Sequence, residues 1–436
     1  MLLYSPHITP RLSYITEFIG RELFAQPIGL TSNREEFMAS GQPGINYSKE
    51  ELGGAEFFLE PASLLFESYI RRQEIECFEL NYHKAFFQTR GDFPFDILAA
   101  SFYLISRYEE YLPHPRDEYG RYPYRESLAH REGFLQLPLV NIWIHEFRLA
   151  LERKFPALVF RRPAFGFIPT YDIDIAYSFL HKGAYRNAGA LARLFLKGRF
   201  RAALQRIQVL RGRRADPFDA YEWLDSLHLY CRMKAQYFFL VAREQKGVDR
   251  NISPSKKGMQ DLVRYHASGY TIGLHPSWQS GDQEKLLDEE LEWLSRISER
   301  KISSSRQHYI RMDLPQTYRR LGKAGIEKDF SMGYGSINGF RASVASSFFW
   351  FDLEKGEQTP LQVFPFCFMD ANSYYEQKYT PRQALDELMQ YYQSVKRVNG
   401  LMITIWHNHF LGTDPQFEGW KEVYELFLKE EVYWDM

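Results

Sequence analysis

Two aspartates and a set of histidines are the residues of this sequence whose types and spacing could perform chemistry. Asp172 and Asp174 stand in the stretch Thr170-Tyr171-Asp172-Ile173-Asp174, at the end of an apolar run. Residues two apart on a strand share a face, so the two carboxylates would lie side by side. A cation would relieve their repulsion, so that one could bind a metal while the other acts as a base. Alone, this pair would equally fit a solvated loop.

Histidines occur near three further apolar runs. His275 ends one run, His308 begins another, and His407 ends the last one. Neutral imidazoles and a carboxylate, with one coordination position left open, form a catalytic zinc site. If these runs are strands of one sheet, the side chains at their ends would meet.

The elements that would position these residues follow an alternating pattern. From about residue 161 onward, short apolar runs alternate with amphipathic stretches, which predicts parallel strands joined by helices, in an open sheet or a (β/α) barrel. In both folds, chemistry gathers at the carboxyl ends of the strands. The predicted strands are 165–171, 236–242, 270–275, 308–312, 361–369 and 400–407, and the predicted helices are 217–233 with Asp216 as N-cap, 255–268, 282–299 and 381–398 with Thr380 as N-cap.

The chain before this pattern differs in kind. Residues 1–156 mix short apolar runs with one clear helical pattern at 96–111, and no cluster of reactive residues stands out. The length of 436 residues exceeds that of one ordinary domain. We therefore predict a smaller α/β or α+β accessory domain over 1–156 and a second domain over 157–436.

Residues 165–434 resemble the polysaccharide deacetylases of the NodB-like type, carbohydrate esterase family four. The stretch from Thr170 to Asp174 resembles the family motif T-F-D-x-D, and Ile405-Trp406-His407 resembles its motif L-x-H. The resemblance implies a distorted (β/α) barrel that hydrolyses N-acetyl or O-acetyl groups of carbohydrates with one divalent metal, which we expect to be Zn²⁺. It also implies that Asp172 is the base, Asp174 a metal ligand and His407 the general acid.

The family's second motif, H-[ST]-x-x-H, is only partly present. His275 matches its first histidine and is implied to bind the metal, but Gln279 stands where the second histidine would be. We infer that His308 is the substitute, because a barrel places consecutive strand ends side by side.

Three further residues complete the predicted site. The stretch Gly339-Phe340-Arg341-Ala342-Ser343 resembles the family motif whose arginine orients the base, which gives Arg341 that role. Trp278 and His409, close in sequence to His275 and His407, are expected to contact the substrate.

A basic segment follows the first predicted strand of the second domain. Residues 182–214 contain ten lysines and arginines and no acidic residue, with apolar residues at helical spacing among them. Such a segment suits an anionic membrane surface or phosphate groups, and also suits a solvated helix packed on the domain. We regard it as an insertion that contacts an anionic membrane peripherally.

Composition limits the classes of partner and compartment. Lys and Arg number 54 against 55 Asp and Glu, so no nucleic-acid partner is expected. Cys77, Cys231 and Cys367 lack metal-binding or disulfide spacing, which is typical of a reducing compartment. No signal-like start and no long apolar run is present, so we expect a cytoplasmic protein, in peripheral contact with the inner membrane face.

The sequence therefore predicts a metal-dependent hydrolase that deacetylates an acetylated sugar, polysaccharide or glycan precursor. Two alternatives stay open at this point. A glycosyltransferase could use the two aspartates to bind a metal-diphosphate, which would leave His275 and His407 without a role. The incomplete second motif would also fit a catalytically inactive carbohydrate-binding or assembly protein.

Overall fold

The structure is a computed structural model that describes residues 1–161 and 163–432, and of Glu431 only the backbone. The last four residues of the predicted second domain lie outside this range. The described chain is mixed α/β, as the sequence predicts. The division at residue 156 stays a prediction.

The N-terminal region is built on a small parallel sheet with strand order β2-β1-β3-β4, beside a separate antiparallel hairpin, β5-β6. The predicted helix at 96–111 begins as expected, because Asp96 caps it by accepting from Ala99 N at 3.0 Å, but its α-helical part ends at Ile105. The strands are β1 (Leu2–Tyr4), β2 (Gly29–Thr31), β3 (Gly44–Asn46), β4 (Phe57–Phe58), β5 (Phe78–Leu80) and β6 (His83–Ala85), and the helices are α1 (Pro10–Phe24), α2 (Arg34–Ala39), α3 (Ile97–Ile105), α4 (Leu128–Arg131) and α5 (Leu139–Lys154).

A nine-stranded sheet organises the rest of the chain, in the order β12-β13-β11-β10-β9-β8-β7-β15-β14. All neighbouring strands are parallel except β12 and β13. Within the described residues, β12 and β14 are the two edge strands of this sheet and do not pair with each other. The predicted barrel is therefore not closed. The strands are β7 (Gly166–Ile173), β8 (Gln236–Phe239), β9 (Thr271–Leu274), β10 (Ser304–Ser305), β11 (Lys328–Asp329), β12 (Phe348–Asp352), β13 (Glu357–Val363), β14 (Phe368–Met369) and β15 (Leu401–His407).

Helices connect most of these strands, as crossovers between parallel strands require. Thr380 caps α12 as predicted, in a capping box with Gln383. The predicted cap at Asp216 is wrong: its helix begins at Tyr221, because the Asp216 carboxylate accepts from the backbone of residues 178–180 instead. The helices are α6 (Ala184–Leu196), α7 (Phe200–Leu210), α8 (Tyr221–Cys231), α9 (Lys257–Gly269), α10 (Glu284–Ser298), α11 (Gln316–Lys323), α12 (Pro381–Arg397) and α13 (Trp420–Leu426).

Two predicted strands differ in the structure. The strand predicted at 308–312 is wrong, because Tyr309 and Ile310 have positive φ angles of 59° and 52° and form a turn. The strand that pairs with β9 is β10, just before this turn. The apolar run 361–369 divides between β13 and β14, which lie near opposite ends of the sheet.

Both regions of the chain contribute to one continuous hydrophobic core. Tyr14 of α1 donates its hydroxyl to Phe349 O at 2.7 Å, and its ring packs on Phe351. The N-terminal region thus packs against the β12 edge of the large sheet. Among the described residues, no helix has the length and apolarity that crossing a bilayer requires.

Candidate metal centre and active site

Strand register brings the predicted reactive residues to one edge of the large sheet. In β7 and β15, Asp172 pairs directly with His407. In β9, Leu274 pairs with Phe239 of β8 and Ser305 of β10, so that His275 follows at the same edge. The carboxyl ends of parallel strands meet at this edge, as the sequence predicts.

Three side chains form a group that could hold one metal ion. One ligand atom each from Asp174, His275 and His308 lies within 4.8 Å of the others. Asp174 Oδ1 is 3.0 Å from His275 Nε2, and Asp174 Oδ2 is 3.5 Å from His308 Nε2. One carboxylate and two imidazoles, with a further coordination position open, are the donors of a catalytic zinc site.

The outer ring nitrogens of both histidines have hydrogen-bond partners that would leave the inner ones free to bind a cation. His275 Nδ1 lies 2.6 Å from Arg306 O, a carbonyl that can only accept, so Nδ1 carries the proton. His308 Nδ1 lies 2.9 Å from Asp249 Oδ1. With Nδ1 protonated, a neutral imidazole offers its Nε2 lone pair, as metal ligation requires. Asp174 Oδ1 is buried beside His275 Nε2 without a well-aligned hydrogen bond among the described residues, which supports the same fit.

The charges of this cluster are strongly coupled. Burial raises the pKa of Asp174, but the imidazoles of His308 and His275 outweigh it and hold that pKa well below its usual value. Burial lowers the pKa of His308, but Asp174 and Asp249 outweigh it and raise the pKa to about 9. A cation would displace the protons that otherwise balance these carboxylates.

Asp172 lies beside this group and is held by an arginine. Arg306 Nη1 donates to Asp172 Oδ1 at 2.8 Å and to Thr170 Oγ1 at 2.7 Å. The guanidinium is fully buried and stacks on Phe238 at 4.4 Å. Asp172 Oδ2 is left on the side of His275, 3.9 Å from its Nε2. Asp172 is therefore an oriented carboxylate with one oxygen available.

His407 faces the same centre from the opposite side. Its Nε2 is 3.4 Å from Asp174 Oδ2, while its Nδ1 is 2.6 Å from Asp370 Oδ1. The other oxygen of Asp370 accepts from the His407 backbone at 2.7 Å. Burial lowers the pKa of His407, but Asp370 and Asp174 outweigh it and raise that pKa well above its usual value. The imidazolium thus has a proton to donate.

Two predicted site residues, Arg341 and Trp278, have other surroundings than expected. Arg341 does not orient Asp172: its Nε and Nη2 donate to Glu110 at 2.8 and 2.5 Å, and Arg306 holds Asp172 instead. Trp278 contacts the rings of Tyr119 and Tyr309 rather than the cavity itself. Gln279, at the position of the missing histidine, donates to Asp249 Oδ2 at 3.1 Å and so supports the partner of His308.

The centre opens into a cavity of about 430 Å³. His409, which is predicted to contact the substrate, lines this cavity next to the His407 ring. Burial lowers the pKa of His409 to about 3, so that its ring is neutral. The tyrosines Tyr119, Tyr309 and Tyr375 add aromatic surface, which together with a few placed polar groups is typical of small-molecule sites.

Sequence reasoning missed Arg306, Asp370 and Asp249. Arg306 directly follows β10 and Asp370 directly follows β14, so the rule used for the other strand ends applies to both. Asp249 lies in a loop after β8, where no local signal marks it.

Comparisons with known proteins give the following similarities. Residues 1–156 match the model of a family of unknown function, DUF7033. No curated protein matches the chain. Similar solved structures include a protein assigned as a polysaccharide deacetylase from Mycobacterium smegmatis, with 13% identity, a TM-score of 0.40, and coverage of 63% of this chain and 86% of that chain.

Two further structures are similar at the same identity of 13%. The polysaccharide deacetylase Bc1974 from Bacillus cereus has a TM-score of 0.29, with 62% of this chain and 89% of that chain covered. Puue allantoinase has a TM-score of 0.37, with 74% and 92% covered.

Proposed function

We propose that this protein is a metal-dependent hydrolase that removes an acetyl group from an N-acetylated or O-acetylated sugar, polysaccharide or glycan precursor. The observation that carries the proposal is the convergence of three groups on one cavity. These are the donor set of Asp174, His275 and His308, the oriented carboxylate of Asp172, and the imidazole of His407 held by Asp370.

A divalent cation held by Asp174, His275 and His308, which we propose is Zn²⁺, would polarise the acyl carbonyl and lower the pKa of water. Asp172 Oδ2 accepts the proton of the attacking water as general base. Arg306 holds Asp172 in place, because its buried guanidinium donates to Oδ1 and leaves Oδ2 for the water. Such general bases contribute roughly 10²–10⁴-fold to rate.

His407 Nε2 protonates the leaving nitrogen or oxygen. Asp370 fixes the ring through Nδ1 and so directs Nε2 toward the cavity. Asp172 Oδ2 lies next to His275, whereas His407 Nε2 lies next to Asp174 Oδ2. Two separate groups are thus present to take a proton from water and to give one to the leaving group. The neutral His409 and the cavity tyrosines are left to contact the sugar.

The geometry favours hydrolysis over the D-x-D glycosyltransferase alternative. Asp174 is surrounded by three imidazoles, and Asp172 is neutralised by Arg306. A diphosphate-bound metal would use neither His407 nor its partner Asp370. The inactive-protein alternative predicts metal or sugar binding without turnover.

The test measures metal content and acetate release together. Wild type is expected to retain one divalent metal after mild chelation and to release acetate from acetylated amino sugars. Asp174→Ala and His275→Ala are expected to lose both. His83→Ala is the matched control, because His83 pairs with Glu146 in the N-terminal region. Stoichiometric metal in both site variants would show that the site is misplaced, and transfer from a nucleotide sugar without acetate release would favour the glycosyltransferase.

A further inference from the structure

The N-terminal region reaches into the cavity that holds the candidate metal centre. Tyr119 and Arg121 line it together with Asp172 and Asp174. A second cavity, of about 500 Å³, adjoins the first and shares Tyr119, Arg121 and Glu376 with it. The two cavities are therefore neighbours, and the metal centre lies in the first of them.

The segment 117–121 is held by internal hydrogen bonds and is bonded to the turn that follows His308. Asp117 Oδ1 accepts from the backbone of Tyr119 and Arg121 at 3.0 and 2.8 Å, and Asp117 Oδ2 accepts from Arg121 Nε at 2.7 Å. Arg121 Nη1 then donates to Tyr309 O at 2.8 Å, next to the predicted ligand His308.

Two further contacts show that the Arg121 guanidinium is closely packed. Its guanidinium stacks on the Tyr119 ring at 4.7 Å. A Cβ at Gly335 would lie 2.1 Å from Arg121 Nη1 and 2.8 Å from Tyr309 O, so a larger residue there would displace the arginine and press on the backbone of the turn. The wall that carries Tyr119 is therefore held by contacts within the protein.

We propose that the N-terminal region supplies the second wall of an extended substrate groove, in which Tyr119 is a specificity-determining residue and Arg121 a positioning residue. The inference rests on the proposed function. Cavities of about 300–1,000 Å³ each hold a ligand of small-molecule size. The cavity at the metal centre therefore holds the acylated sugar, and the cavity lined by Tyr119 and Tyr124 holds the next sugar of the chain. The substrate is a glycan of more than one residue.

The experiment compares N-acetylglucosamine with its tetramer, by acetate release and by calorimetric binding. Wild type is expected to prefer the tetramer in kcat/KM. Tyr119→Ala and Tyr124→Ala are expected to reduce the ratio of tetramer to monomer by about three- to tenfold, as the loss of one ring contact implies. Tyr82→Ala, whose side chain is fully exposed in the same region, is the control and should keep the ratio.

The role of Arg121 is tested with one substitution that removes the guanidinium and one that keeps the positive charge. Arg121→Ala is expected to raise KM for the tetramer more than it lowers kcat, and Arg121→Lys should restore part of the loss. An unchanged ratio in both tyrosine variants, with turnover intact, overturns this inference and leaves the proposed function standing. If wild type binds the tetramer but turns over neither sugar, and Tyr119→Ala loses this binding, the groove is supported and the proposed hydrolase activity is overturned.

A different observation concerns the basic segment, which folds as a hairpin of α6 and α7. Asp216 secures its base, since its carboxylate accepts from the backbone amides of residues 178–180, only four to six residues after Asp174. The tip of the hairpin presents large apolar side chains to solvent. Leu196 is 89% exposed and Phe200 63% exposed, and the Phe200 ring packs on Phe195 at 6.0 Å.

Exposed cations surround this apolar tip. Lys197, Arg199 and Arg201 are exposed beside it. By contrast, Arg206 is engaged inside the hairpin, with Asn187 Oδ1 at 2.8 Å and the Phe179 ring at 4.2 Å. Apolar side chains flanked by cations, on a segment without any acidic residue, match the interface of an anionic bilayer.

We propose that this hairpin docks the protein on an anionic membrane surface, with the metal centre close to that surface. The experiment is flotation with phosphatidylcholine vesicles that contain or lack phosphatidylglycerol. Wild type is expected to bind only the anionic vesicles, at low salt, and to be released at high salt.

Two variant pairs separate the contributions of apolar and charged side chains. Leu196→Asp with Phe200→Asp, and Arg199→Glu with Arg201→Glu, are each expected to weaken vesicle binding at least about tenfold. Lys301→Glu, which changes an exposed cation elsewhere, is the matched control. The proposal is overturned if wild type does not bind anionic vesicles. It is also overturned if wild type is a dimer that only the apolar variant dissociates, because the tip would then be an interface between two copies of the chain.

Discussion

Two buried arginine–carboxylate clusters, one at the strand ends and one between the two regions of the chain, use the same groups in different surroundings. At the strand ends, Arg306 holds one oxygen of Asp172 and leaves the other beside the cavity. Between the regions, Glu110 has both oxygens occupied, by Arg341 and Arg107. A carboxylate with one oxygen left for a cavity can take a proton, whereas one with both oxygens bound stabilises packing.

The largest expected effect is on the strand-end cluster. Asp172→Asn is expected to retain the metal and to lose about 10²–10⁴-fold in turnover, because an amide cannot accept the proton of water. Glu110→Gln, the matching change in the other cluster, should keep the turnover of its folded fraction. Metal analysis and kcat measured on both variants check this. Equal metal loss in Asp172→Asn and Asp174→Ala would contradict the separate roles of base and ligand.

The second effect is on stability. Arg341→Met removes a fully buried partner from Glu110 and is expected to lower the free energy of unfolding by about 3–5 kcal/mol. Arg319→Met should cost less, because Arg319 is partly exposed while it pairs with Asp352. Urea unfolding of the three proteins measures the difference. An unchanged unfolding midpoint in Arg341→Met would show that the cluster between the regions is not structural.

The third effect is the pH dependence of that stability. Burial raises the pKa of Glu110, but Arg341 and Arg107 outweigh it and lower the pKa to about 2. A carboxyl group whose pKa is lower in the folded than in the unfolded state stabilises the fold at pH values above its unfolded-state pKa. This stabilisation is lost as the pH falls toward its folded-state pKa. The stability difference between wild type and Glu110→Gln should therefore be on the order of 3 kcal/mol near neutral pH and shrink between about pH 4.5 and 2. A difference that grows on acidification would contradict the assignment.

The smallest effect concerns leaving groups. Only a poor leaving group needs the proton of His407, so His407→Gln is expected to slow amide hydrolysis at least about tenfold more than hydrolysis of an activated acetate ester. Steady-state rates on both substrates measure this selectivity. Equal losses on the two substrates would remove His407 as general acid and leave it with a structural role beside Asp370.

The sequence predicts the parts of the site that lie on regular elements. Asp172, Asp174 and His407 follow from apolar strands whose pairing could be expected. The place of His308 was predicted through a wrong element, because its position depends on a turn with positive φ at Tyr309 rather than on a strand. Arg341 was assigned by local resemblance, and only the fold shows that another buried arginine lies nearer to Asp172.

The remaining differences arise from contacts between distant parts of the chain. The Asp216 carboxylate accepts hydrogen bonds from backbone amides about 36–38 positions earlier in the chain. The local sequence pattern that predicted it as a helix N-cap was therefore misleading. The role of Tyr119 depends on packing of the N-terminal region against the turn after His308, which no periodicity in residues 1–156 indicates. Local patterns specify helices and strands, but not which buried charges become neighbours.

The common core of the two regions sets the order in which the protein can mature on the ribosome. Tyr14 and Phe349 are 335 positions apart in the chain. At about 5–20 residues per second, the nascent α1 waits roughly 17–67 s for its partners in β12 to be synthesised. During this interval its apolar face has no native cover from the large sheet. We therefore expect the early chain to be prone to aggregation, and expression of residues 1–156 alone to yield aggregation-prone protein.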